Sequence, residues 1–128
     1  MTVPSSDEQE LENWFFENIS TDKKQVFKKF EMTISVMQDA DSIRRVAYEA
    51  VEDLVEDGVV YGELRYAPLQ HLQGKLSSQE VVDAVSIGIK DGQKDFGGEF
   101  YTILCAMRQH KNSTEVAELA IKNFNNKV

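Results

Sequence analysis

Apolar residues in this chain follow two different periods, and the switch between them marks where helix gives way to strand. The clearest helical pattern is Ile43, Val46, Ala47, Ala50, Val51, Leu54 and Val55, which recur three and four apart and predict an amphipathic helix, with Gly58 placed to stop it. Upstream, Leu11, Trp14 and Phe15 share a face of a helix expected from about Ser6 to Asn18, with Pro4, Ser5, Ser6 and Asp7 as start signals. A second helix is expected over Lys23 to Met37, carrying Val26, Phe27, Phe30, Ile34 and Met37. Past Gly58 the period shortens. The stretch 59–66, "VVYGELRY", reads as a strand, and "FYTILCAM", 100–107, as another. Between them the pair Ser77 and Glu80 has capping-box spacing and opens a helix carrying Val81, Val82, Val85, Ile87 and Ile89, which ends near "DFGG". A last helix, "NSTEVAELAIKNF", is capped from Asn112 or Ser113.

Helix, strand, helix, strand, helix with short connections predicts an α/β fold with a parallel sheet, the stretch from Val59 to Met107 forming one right-handed crossover unit. No repeat, linker or low-complexity tract divides the chain, so it reads as one domain. Two strands are few for this class, since closed barrels use eight and open sheets five or six, so the chain reads as part of a larger fold. Two parallel strands also leave both sheet edges unpaired, through which the chain could self-associate.

Glu63 and Arg65 interrupt the apolar character of the first strand. Residues two apart share a face, so these charges point one way while Gly62, Leu64 and Tyr66 point the other. A charge pair walled inside a parallel sheet has to satisfy itself, so a mutual ion pair is expected.

Charge narrows the partners. The net charge of -8 over 128 residues opposes nucleic acid and anionic membrane, and the densest basic spot, "FKKF", is too small to reverse that. No stretch reaches membrane-spanning length, and the amino terminus lacks a basic segment followed by an apolar core, so the expected location is the cytoplasm. The single cysteine, Cys105, lies in an apolar run and reads as a buried, inert thiol. No phosphate-binding loop follows either strand. The two histidines, His71 and His110, both fall in loops, read as solvated, and are too few for a zinc site of three or four converging ligands.

Four segments, "EAVEDLVEDGVVYGELRYAPLQH", "EVVDAVSIGIKDG", "ILCAMRQH" and "STEVAELAI", stand in an order and spacing that resemble the adenosine deaminase family, from about Leu11 to Ile121. The resemblance covers under half of that family's usual length. It implies a (β/α)8 TIM barrel and an enzyme of purine salvage, in which zinc at the C-terminal face activates water against C6 of adenosine, giving inosine and ammonia. This chain would then be a segment lacking the first strand and the C-terminal half of the barrel, and inactive alone. The family's His-x-His pair, later His, Asp and proton-carrying Glu have no counterpart here, so no catalytic or metal residue is assigned.

By the same resemblance Val26, Phe27 and Phe30 stand where the family folds a hydrophobic gate over the purine nucleoside, although an ordinary core stripe has the same spacing. Met107 would line the purine pocket at the C-terminal end of the second strand. The family often carries His directly after the Met-Arg pair, whereas here Gln109 intervenes before His110, which leaves His110 without an assigned contact. Glu63 and Arg65 would brace the strand end beneath the active site. The alternative reading is a free-standing, non-catalytic α/β module that binds a partner.

Overall fold

The structure is a computed structural model that describes residues 3–16 and 23–124. Its contacts separate into two compact units, Met1–Val36 and Met37–Val128.

The first unit carries α1 (Glu8–Phe16) and α2 (Lys23–Ser35). Helix α1 opens at Asp7, whose Oδ1 accepts from the Glu10 amide at 2.9 Å, as a helix amino terminus requires. The expected continuation to Asn18 lies outside the described residues. The rings of Trp14 and Phe15 meet edge to face, 4.9 Å between centroids, and the Lys29 ammonium lies 5.9 Å from the Trp14 ring centroid. Helix α2 stops at Ser35, two residues before the expected Met37. Met37 is drawn into other bonds, described below.

The second unit holds α3 (Ala40–Glu56), β1 (Tyr61–Tyr66), a 3-10 turn at Pro68–His71, α4 (Ser78–Phe96), β2 (Glu99–Leu104) and α5 (Ser113–Asn123). Helix α3 is capped by Asp39, which accepts from the Ser42 amide at 2.8 Å. It ends as its sequence predicts: Gly58 takes φ 86°, its amide bonds the Val55 carbonyl at 3.0 Å and the Val59 amide reaches Leu54 at 2.9 Å, the Schellman arrangement that a Cβ at Gly58 would disfavour. Helix α4 opens on the expected capping box of Ser77 and Glu80. Helix α5 follows Asn112, though no side-chain cap bond forms there.

Helices α3 and α4 form the main packing contact because α4 presents almost no side chain where they cross. A Cβ on Gly88 would lie 2.3 Å from the Arg44 carbonyl oxygen, and one on Gly92 would lie 2.8 Å from the Val51 Cβ. Ile43, Ala47 and Val51 of α3 are thereby buried with Val81, Ala84, Val85 and Ile89 of α4 and Phe100 of β2. Ile87, expected among the apolar positions of α4, is off this face and 47% exposed.

The two strands pair in parallel, with Gly62 opposite Phe100, Glu63 opposite Tyr101 and Arg65 opposite Ile103. Both are shorter than expected. Val59 and Val60 precede β1, and residues 105–107 have left β2. One sheet face, with Leu64, Tyr66, Phe100 and Thr102, turns to the core. The Tyr66 and Thr102 hydroxyls are buried there without a hydrogen-bond partner. Burial, with the charge of Asp83 adding to it, holds the Tyr66 phenol well above its ordinary pKa. Among the described residues the opposite face has no covering layer, and Tyr61, Glu63, Arg65, Glu99 and Ile103 on it are exposed.

Candidate functional site

The C-terminal ends of two adjacent parallel strands point the same way, so the segments leaving them meet at one rim. At Cys105 the chain makes one last ladder bond, its amide donating to the Tyr66 carbonyl at 2.8 Å, and a turn closes behind it where the His110 amide bonds the Met107 carbonyl at 3.0 Å. This departure from the sheet gathers Ala67 and Leu69 after β1, Cys105 and Met107 after β2, and Val116 of α5 around a narrow cleft that His110 also borders. About 10 Å³ of it is open to a water-sized molecule, room for roughly one water. The cleft is therefore a piece of apolar wall and not a complete pocket.

Met107 lies at the expected rim, half-buried in the cleft wall, but three residues beyond the last residue of β2. The apolar run "FYTILCAM" continues past the point where pairing stops, which is why its sequence overstates the strand. Cys105 is half-buried, where a fully buried thiol was expected. Its neighbours in the wall, Ala67, Leu69 and Val116, carry no chemistry of their own. Adjacency to the end of β1 is the sequence signal that could have found Ala67 and Leu69, whereas Val116 lies within α5, away from either strand end in sequence.

Glu63 and Arg65 share a face, as their spacing requires, but both are exposed, and among the described residues they form no ion pair with each other. Glu63 instead accepts from the Tyr61 hydroxyl at 2.9 Å. The expectation of a mutual pair assumed walls on both sides of the sheet. With this face in water, neither charge needs a partner. The rings of Tyr61 and Tyr101 lie alongside, centroids 5.8 Å apart, and Tyr101 donates to Glu99.

Val26, Phe27 and Phe30 belong to the first unit and are 40%, 62% and 59% exposed.

His71 corrects an expectation. It is 8% exposed, and its Nδ1 donates to the Met37 carbonyl at 2.8 Å, since a carbonyl can only accept. Burial pushes its pKa below the ordinary imidazole value, against the opposing pull of that bond. The sequence places His71 in a loop, but the 3-10 turn at Pro68–His71 folds it inward. His110 is exposed, as expected. Among the described residues no group of three His, Cys, Asp or Glu side chains could hold a metal ion, and the Nδ1 of His71 is already engaged. The described residues do not fit a zinc site.

A larger cleft, about 500 Å³, runs between α3 and α4 and is lined by Arg44, Tyr48, Asp91 and Lys94 among others. It lies on the helices and is remote from the strand ends. Its Arg44–Asp91 contact of 2.6 Å joins two side chains that are 53% and 39% exposed, a surface pair worth little.

Comparison with known proteins adds a second line of observation. A family profile described as adenosine deaminase matches residues 1–128. A protein of Mycobacterium avium named adenosine deaminase is 41% identical over 126 residues, which is 94% of this chain and 34% of that protein. One of Streptomyces coelicolor named adenosine deaminase 1 is 42% identical over 124 residues, 92% of this chain and 31% of its own length. One of Mycolicibacterium vanbaalenii is 49% identical over 98 residues, covering 73% of this chain and 27% of that protein. The chain thus spans about a third of the length of the curated relatives it matches.

Proposed function

The chain belongs to the adenosine deaminase family, and from that premise we propose that it is a segment of an enzyme replacing the 6-amino group of adenosine with oxygen from water, releasing inosine and ammonia. The observation that carries this reading is the match along the whole 128-residue chain. A TIM barrel completed by the rest of a family-length polypeptide is the fold that goes with it. The described residues offer no ligand set for the zinc ion that the resemblance implies, so no chemical step is assigned to this segment. Its part is to shape the site: Met107 and its apolar neighbours as wall at the strand ends, Val26, Phe27 and Phe30 as gate, Glu63 and Arg65 as support below. An apolar wall and gate exclude bulk water from a hydrolytic site and leave polar recognition of the nucleoside to other elements. We place the complete enzyme in the cytoplasm and in purine salvage on the same family likeness.

The test is a graft. The matching third of the Mycobacterium avium adenosine deaminase is replaced by this chain, and the ultraviolet change that accompanies adenosine deamination is followed. The graft should deaminate adenosine, and Phe27→Ala or Phe30→Ala within it should raise KM or lower kcat with Tm nearly unchanged. A folded graft without activity overturns the reading of the segment, and normal kinetics in both Phe variants overturns the gate. The 128-residue chain alone, given adenosine and zinc, should show no turnover above buffer.

A further inference from the structure

The loop leaving β1 forms one side of the apolar cleft through Ala67 and Leu69. It is tied down by a residue far away in sequence. Gln38, in the connection before α3, uses both ends of its side-chain amide: Nε2 donates to the Gln70 carbonyl at 3.1 Å and Oε1 accepts from the Gln73 amide at 2.9 Å. One side chain thereby bonds two backbone groups three residues apart, fixing the loop's curvature as well as its distance. Beside it the His71 Nδ1 donates to the Met37 carbonyl at 2.8 Å. Gly74 closes the same junction, where a Cβ would stand 2.5 Å from the Gln38 carbonyl oxygen, so only glycine lets the two backbones approach. Three hydrogen bonds and one steric requirement thus converge on two consecutive residues, Met37 and Gln38.

We propose that Gln38 is a positioning residue for the candidate site, holding the 67–74 loop, with the help of His71 and Gly74, in the shape that sets Leu69 against Met107 across the cleft. The proposal rests on the reading of this rim as part of a purine site, but the latch itself can be tested without substrate or metal. Backbone hydrogen exchange on the 128-residue chain reads the latch at the Gln73 amide, whose partner is the Gln38 side chain. In Gln38→Ala that amide should exchange at least about five-fold faster, the loss of roughly one net hydrogen bond, while amides within Val81–Ile89 of α4 keep their rates. Gln38→Glu retains an acceptor and should leave Gln73 protected. Gly74→Ala should expose Gln73 by forcing the two backbones apart, whatever the fate of the Gln38 side chain.

An unchanged Gln73 rate in Gln38→Ala, or equal acceleration throughout α4, overturns the latch. In the active graft described above, Gln38→Ala should raise KM more than it lowers Tm predicts, with Gln38→Glu recovering part of the loss. If exchange responds and KM does not, the latch exists and the positioning role is overturned. A graft with no activity in any form indicts the reading of the segment and leaves the exchange result to decide the latch.

Discussion

At the scale of single residues, His71 carries the most readable electrostatic consequence. Its imidazole is buried and neutral, with burial lowering its pKa and the Met37 carbonyl bond opposing in part. The unfolded chain binds a proton there at about pH 6.5, whereas the folded chain resists it. A group with a lowered folded pKa contributes stability that is present above the unfolded value and is lost as pH falls from there through the folded value. The native chain should therefore be less stable at about pH 5.5 than at about pH 7.5, two values that bracket the unfolded pKa and lie above the ordinary carboxylate range. Asp39 and Glu80, whose helix-capping hydrogen bonds hold their carboxylates below that range, lose their contributions only in stronger acid. Denaturant midpoints at the two pH values check this. His71→Gln should flatten the dependence, and an equal slope in both proteins sinks the assignment.

At the scale of elements, the α3–α4 contact depends on what α4 lacks. Adding a methyl at Gly88 places it 2.3 Å from the Arg44 carbonyl oxygen and 2.9 Å from the Ala47 Cβ, neither of which is the movable tip of a long side chain. The helix-propensity gain of Gly→Ala, about 1 kcal/mol, opposes an overpacking cost of about 1–3 kcal/mol. Two such clashes on backbone and Cβ put the cost in the upper part of its range, so Gly88→Ala should destabilise the chain by about 1–2 kcal/mol in urea unfolding. A stability gain would mean that the helices can part without loss. The same scale shows what sequence could convey. The apolar positions three and four apart, the Ser77–Glu80 capping box and the Gly58 stop are local signals, and they located α3, the start of α4 and the turn into β1. The strand ends were overestimated because "FYTILCAM" stays apolar for three residues after β2 ends at Leu104. Of the site, the rim around Met107 was legible from its place after a strand. The Gln38 latch was not, because it joins residues 32 positions apart through a side chain whose partners are backbone atoms. His71 was misjudged for the same reason: a loop position says nothing of which way the loop folds.

At the scale of the whole molecule, two features oppose each other. Among the described residues the sheet has only β1 and β2, so backbone groups on its outer edges are open to pairing with another copy. The uncovered face adds Tyr61 and Ile103, 53% and 43% exposed. Against this stands the net charge of -8, which sets copies of the chain repelling one another. That repulsion reaches roughly 30 Å at 0.01 M salt but only about 8 Å at 0.15 M, whereas strand pairing and apolar contact act at van der Waals distance and survive screening. Salt should therefore drive association rather than dissolve it. Sedimentation velocity of the 128-residue chain should show mainly monomer at about 0.01 M salt and a growing dimer or larger species above about 0.15 M. Ile103→Lys places a charge on the uncovered face near the end of β2, a common device on exposed strands, and should hold the chain monomeric across that range. A monomer at both salt levels would show that the open edges are blunted by their own twist and charges. Association indifferent to Ile103→Lys would move the contact away from this face of the sheet.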